Sequence, residues 1–157
     1  HSIDQSVRTS MSPIYTTRNF DPADSVGALV AMTRKAFLEA IDAELAPLDI
    51  SAAQWIIVMQ LSYKPSSTTG ELAKTINHDP GAMTRLLDRL ENKGMVKRLP
   101  SETDRRAVTL QLTPAGEALK PKIVAALTKV NNRLLKGFEA QEVDQLKEFL
   151  KRMIANA

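Results

Sequence analysis

Apolar positions recur along this chain with two different periods, and the change between them marks its organisation. Val26, Leu29, Val30, Phe37, Ile41 and Leu45 fall at helical spacing, which gathers their side chains on one side of a helix, and Pro47 ends the pattern. Ser51 followed by Gln54 forms a capping box ahead of Trp55, Ile56, Val58, Met59 and Leu61, so a short and largely buried second helix should run on to Tyr63. Thr68 with Glu71 repeats that signature before Leu72, Ala73 and Ile76, predicting a third helix of about two turns. In "NHDPGAM" Asp79 suits the cap and Pro80 the first helical position. A fourth helix is expected from there to Gly94, which takes a left-handed cap most readily.

The period then drops to two. Val108, Leu110 and Leu112 alternate with Thr109 and Gln111, and "MVKRL" supplies an opposing strand, which makes "PSETDRRA" a hairpin loop. Thr113-Pro114 opens a long helix with the stripe Leu119, Ile123, Leu127, Val130 and Leu134. A bend is expected near Pro121 and a stop at Gly137. A last helix carries Val143, Leu146, Leu150, Met153 and Ile154 on one side. The fold class is therefore mainly α with a small β-hairpin. Residues 1–24 lack periodicity and contain Pro13 and Pro22, and they read as a flexible or docking arm. Residues 25–157 read as a single domain, with a central lobe over about 51–113 and flanking helices over about 25–47 and 114–157.

The fourth helix gives the pattern a chemical meaning. At the turn of an α-helix, Met83, Leu86, Leu87 and Leu90 cluster on one side while Gly81, Arg85, Asp88 and Asn92 lie opposite, with Thr84 and Arg89 on the shoulders. The outer side thus offers small residues for close approach, a hydroxyl, and a guanidinium able to fork onto a guanine edge or clamp a phosphate. A short helix, a turn, such a helix and then a basic hairpin make the layout of a winged helix-turn-helix. In "SETDRRA" Arg105 and Arg106 suit phosphate or minor-groove contacts. Asp104 would oppose DNA if it pointed outward, so it is expected to pair with Arg85 or Arg89 and hold the wing against the reading helix.

Composition changes this picture little. The 157 residues suffice for one self-standing core. Lys and Arg total 21 against 18 Asp and Glu, a net of +3, mild for a protein that binds nucleic acid. The distribution is more informative. Residues 26–63 hold two basic and four acidic side chains, whereas 85–106 hold seven and four, and 107–139 five and two. There is no cysteine, which removes disulfides, thiolate metal sites and thiol-based redox sensing. Neither a long apolar run nor the apolar core of a secretion signal appears, so a soluble, cytoplasmic protein with no membrane partner is expected.

The stretch "TTGELAKTINHDPGAMTRLLDRLENKGMVKRLPSETDRRAVTLQLTPAGEAL" resembles the winged helix-turn-helix core of the MarR family of bacterial transcriptional regulators, and the resemblance extends over about residues 26–155. Its most specific pieces are "TRLLDRLENKGMVKR" and "DRRAVTLQLTPAG". The resemblance implies a homodimer with interlocked terminal helices, bound to a pseudo-palindromic double-stranded operator and usually repressing transcription. It also implies release by a small aromatic or phenolic acid effector seated between the dimerisation helices and the DNA-binding lobe. The positions it assigns to DNA are Thr68 and Thr69 at the preceding helix start, Gly81, Ala82, Thr84, Arg85 and Arg89 on the reading helix, and Asp104, Arg105 and Arg106 on the wing. Pro80-Gly81 stands where many relatives have hydroxyls, so base preference does not transfer. Independently of the resemblance, the stripes on the first and last two helices exceed what the lobe can cover, which favours a dimer.

Three further residues are candidates for the effector. Arg34 interrupts the stripe of the first helix, where it could clamp a carboxylate or simply reach water. Trp55 suits core packing or an aromatic stacking wall, and His78 lies in the turn between the two lobe helices. No enzyme motif, no metal-spaced cluster and no cofactor signature appears. The competing reading is a non-catalytic winged-helix module that binds another protein.

Overall fold

A computed structural model describes residues 12–76 and 79–157. The chain divides into two compact units that meet in sequence between Lys35 and Ala36. Helix α1 (Val26–Leu45) contributes to both.

In the first unit the part of the N-terminal arm that is described forms turns ahead of α1. The Thr16 amide and hydroxyl both donate to Asn19 Oδ1, at 2.5 and 3.0 Å, and the Tyr15 and Phe20 rings meet edge to face at 5.3 Å. Helix starts leave amides without partners, and here the Tyr15 hydroxyl accepts from Val26 N at 3.2 Å while Ser25 Oγ accepts from Ala28 N at 3.2 Å. Val26, Leu29, Val30 and Met32 are nevertheless exposed.

The second unit holds the core. Ala40, Ile41 and Leu45 of α1 are buried, and a 3₁₀ turn over Ala46–Leu48, with Pro47 inside it, ends the helix. Helix α2 (Ala52–Tyr63) starts at the expected capping box, with both arms formed: Gln54 N donates to Ser51 Oγ at 3.2 Å and Ser51 N to Gln54 Oε1 at 3.1 Å. It is apolar on more than one side, so it sits centrally, touching α3, α4, α5 and the sheet. Helix α3 (Thr69–Ile76) follows, then α4 (Pro80–Asn92), which buries Met83, Leu86, Leu87 and Leu90. Each such side chain contributes about 1.5–3 kcal/mol when fully buried.

The second capping box is only half made. Thr68 Oγ1 accepts from Glu71 N at 3.2 Å, but the Glu71 carboxylate turns to Lys64 Nζ at 2.8 Å. That hydrogen bond, with the lysine's charge, lowers the Glu71 pKa below the ordinary carboxylate value. The hairpin also has a third strand that the period did not disclose. Strand β1 (Ser67–Thr68) joins β2 (Val96–Pro100) and β3 (Val108–Leu112) in the order β1-β3-β2, antiparallel throughout. Two residues are too few to show alternation, and Ser66 before them adopts φ 62°, which no pattern foretells.

The junction between α4, the sheet and helix α5 (Pro114–Leu134) is tight. Gly94, at φ 74°, ends α4 as expected; its amide donates to Glu91 O and that of Met95 to Leu90 O, the two bonds of a Schellman motif. Thr113 N donates to Met95 O, and Thr113 Oγ1 accepts from Gly116 N at 3.1 Å. A Cβ on Gly116 would lie 2.1 Å from Met95 O, so no larger residue fits without moving backbone. Helix α5 continues through Pro121, burying Leu119, Ile123 and Val130. It ends at Leu134 rather than at Gly137, because Lys136 N and Phe138 N close turns onto Arg133 O and Leu135 O, with Gly137 at φ 90° between them. Helix α6 (Ala140–Ala155) buries none of its residues.

Candidate nucleic-acid interface

The start of α4 is fixed by its cap. Asp79 Oδ1 accepts from Gly81 N at 2.9 Å and from Ala82 N at 3.0 Å, Pro80 occupies the first turn without wasting a donor, and Thr84 Oγ1 donates to Pro80 O at 2.9 Å. With the apolar stripe held in the core, Gly81, Thr84, Arg85, Asp88, Arg89 and Asn92 are exposed and Ala82 is half-buried. The Arg85 guanidinium folds back along the helix, its Nη1 3.7 Å from where a Cβ on Gly81 would stand. Thr68 and Thr69 are half-buried at the β1–α3 junction.

The wing is a closed loop rather than a loose tip. Ser101 N donates to Ala107 O, Ser101 Oγ accepts from Thr103 N and Asp104 N, and Ala107 N donates to Asp104 O. Asp104 Oδ1 accepts from Arg106 N at 2.9 Å. This corrects the expected pairing of Asp104 with Arg85 or Arg89: the carboxylate bonds an amide two residues on, the turn a short acid makes most readily. Arg105 and Arg106 are left exposed on a loop whose backbone is pinned beneath them.

What joins wing to helix is a residue that the sequence reading passed over. Arg98 on β2 places Nη2 2.6 Å from Asp88 Oδ1 and Nη1 2.7 Å from Glu91 Oε1, both on α4. The hydrogen bond it donates to Asp88 first, then the charge of Glu91, raises its pKa further above the ordinary guanidinium value. The signal was present in principle: two acids three apart on a helix, followed by an arginine in the next strand.

Arg89 stands apart from Arg85. It lines a cavity of about 460 Å³ with Asp42, Ala46, Asp49, Ile50, Ser51, Gln54 and Lys93. There Lys93 Nζ donates to Asp49 O and reaches Gln54 Oε1 at 3.3 Å and Asp49 Oδ2 at 3.3 Å. Of the effector candidates, Arg34 is exposed on α1 and Trp55 is half-buried on α2. The Trp55 Nε1 donor is itself buried without a hydrogen-bond partner, as is Ser62 Oγ two turns further along the same helix. His78 lies outside the described residues. Among the described residues no cluster of three or more potential metal ligands occurs, and no single helix is long and apolar enough to cross a membrane.

Two helices only three residues apart in the chain, the second with an exposed polar flank, and a basic hairpin behind it define a winged helix-turn-helix protein. The MarR family model matches residues 50–108. The multiple antibiotic resistance protein MarR of Escherichia coli is 34% identical over 140 residues, covering 88% of this chain and 97% of that protein. This chain belongs to the MarR family. Its fold is similar to that of wild-type E. coli MarR in the apo form, with a TM-score of 0.76 and 35% identity over 82% of this chain and 96% of that one. A mutant E. coli MarR complexed with operator DNA superposes with a TM-score of 0.75 at 33% identity, over 85% and 99% of the two chains.

Proposed function

We propose that the protein is a transcriptional regulator that binds double-stranded operator DNA as a homodimer and represses transcription until a small aromatic acid releases it. The observation that carries the DNA reading is the exposed flank of α4, with Gly81, Thr84 and Arg85, followed by a wing that displays Arg105 and Arg106. Helix α4 would enter the major groove with its N-terminal residues foremost, and the wing would grip the adjacent backbone or minor groove. The relative complexed with operator DNA supports the same reading. The family consists of transcriptional regulators rather than enzymes, and the cytoplasm is where such a protein works.

Dimerisation is supported by two apolar surfaces, each described in its own unit. Val26, Leu29, Val30 and Met32 are exposed in one, and Leu146, Phe149, Leu150, Met153 and Ile154 in the other. Faces of that extent are uncommon on monomers. Two-fold symmetry would set the reading helices about 34–36 Å apart or at a multiple of that. The effector reading is supported by the unpartnered donors of Trp55 and Ser62, since a buried donor without an acceptor costs about 1–3 kcal/mol.

Selection of bound duplexes from a random pool, followed by titration of the selected duplex against salt, tests the function. Each phosphate contact should add about 0.9 to the slope of log affinity against log salt. A flat dependence would favour the module that binds another protein. A panel of aromatic carboxylic acids then tests release, with Arg34, Trp55 and His78 substituted in turn; release unchanged in all three variants would remove them from the effector site.

A further inference from the structure

The geometry points to Arg98 as a positioning residue that sets the wing against the reading helix by bonding two α4 carboxylates at once. The inference rests on the DNA reading above. Arg98 pairs across the sheet with Leu110, which is fully buried, and cross-strand neighbours share a face. Its stem therefore leaves the sheet on the side packed over the core. At the far end both terminal nitrogens bond protein: Nη2 on Asp88 at 2.6 Å and Nη1 on Glu91 at 2.7 Å. Asp88 and Glu91 lie one turn apart, so a planar fork spans them where a single ammonium would have to choose.

Two consequences follow for the DNA-facing surface. Asp88 shares the outward flank of α4 with Thr84 and Arg85, where a bare carboxylate would repel phosphates; Arg98 neutralises it in place. The same bonds tie β2, and through it the pinned loop carrying Arg105 and Arg106, to the helix that enters the groove. Docking the helix then carries the wing arginines along in a fixed register, instead of leaving them to be ordered at the moment of binding.

A direct phosphate contact by Arg98 makes the opposite predictions, so the two roles separate by sign. The test uses the full chain, with Arg98→Lys and the double variant Asp88→Asn/Glu91→Gln, each first checked for an unchanged melting profile. Hydrogen exchange of the wing amides, Ser101 to Ala107, is measured without DNA, and affinity for the selected duplex by fluorescence anisotropy. With Arg98 as the brace, wing amides exchange faster in both variants and both bind about tenfold more weakly. The double variant does so even though it has lost two negative charges. Adding Arg106→Ala to Arg98→Lys should cost less than the product of the separate losses, because the two act through one loop. If Arg98 instead holds a phosphate, the lysine keeps affinity within about twofold and the double variant binds more tightly, and either result overturns the brace. Unchanged wing exchange in both variants overturns it as well, whatever the affinities. Failure of the unsubstituted protein to bind any duplex in a salt-dependent way would sink the DNA reading alone, with hydrogen exchange still deciding whether Arg98 braces the wing.

Discussion

Helices α4 and α6 have much the same design and opposite fates. Both carry an apolar stripe at helical spacing against a charged flank. On α4 four residues of the stripe are buried. On α6 none is: Val143 is half-buried and the other four are exposed, from 38% at Leu150 to 74% at Ile154. An amphipathic stripe therefore announces that a helix has a partner without saying whether the partner lies in the same chain. For α4 the partners are α2, α3 and β2. For α6 a second copy of the chain is the proposed one.

The sharpest break between the two helices should come from truncating their stripes. Leu87→Ala or Leu90→Ala on α4 removes a fully buried side chain, with an expected loss of about 2–5 kcal/mol in urea unfolding that does not depend on protein concentration. Leu150→Ala on α6 should cost less, and its effect should grow as the protein is diluted, since it weakens association and not the core. Concentration-independent losses at both positions would erase the distinction and leave α6 with a partner inside the chain.

Next in size is the insertion of charge. Phe149→Glu, at a residue 56% exposed in the single chain, should be harmless to the monomer. It should raise the dimer dissociation constant by about two orders of magnitude, as read by sedimentation. Operator affinity should fall with it toward that of one half-site. A variant that remains dimeric at nanomolar concentration would show that the symmetric interface lies elsewhere.

Much of this contrast was legible in the sequence, and the residues show why. The capping box of Ser51 and Gln54, the Asp79-Pro80 start and the Gly94 stop are local signals, decided within a few residues, and they appear where the spacing places them. Side-chain partners did not read through. Glu71 bonds Lys64 instead of completing its own cap, and Arg98 reaches back seven and ten residues to its acids; each depends on which of several opposite charges lies nearest in space, and chain order does not rank them. Asp104 takes the Arg106 amide two residues on instead of an arginine on α4, a local turn bond that a charge-pairing argument overlooks. The exposed flank of α4 was legible because burial of the stripe fixes it by geometry. Arg89 is exposed on α4 as the spacing places it, and what the spacing did not disclose is the cavity beside α1 and α2 that its side chain also lines.

The exposed flank offers a subtler test of the same contrast, at about 1–3 kcal/mol. Arg85→Ala should lower affinity for the selected duplex by that amount and relax sequence choice, whereas Arg105→Ala should weaken all duplexes alike and flatten the salt slope by about 0.9. Equal losses on every duplex for both would mean that Arg85 clamps backbone as the wing does. Charges on the corresponding flank of α6, where Lys147 and Lys151 pair with Asp144 and Glu148, should leave DNA binding unchanged when neutralised.

The smallest expected effect separates stability from binding at one residue. Asp79→Ala removes the acceptor for Gly81 N and Ala82 N, and loss of such a cap costs about 0.5–2 kcal/mol in thermal or urea unfolding. The same change frees two amides at a helix N-terminus and deletes a negative charge there, and both changes favour an approaching phosphate. Affinity for duplex, measured well below the melting temperature, should then hold steady or rise slightly while stability falls. On α6 the comparable change, Glu142→Ala, removes the acceptor for Glu139 N and should lower stability by a smaller amount with no effect on DNA at all. If Asp79→Ala lowers both quantities in step, the start of α4 does not face the phosphates, and the helix must present a later turn to the groove.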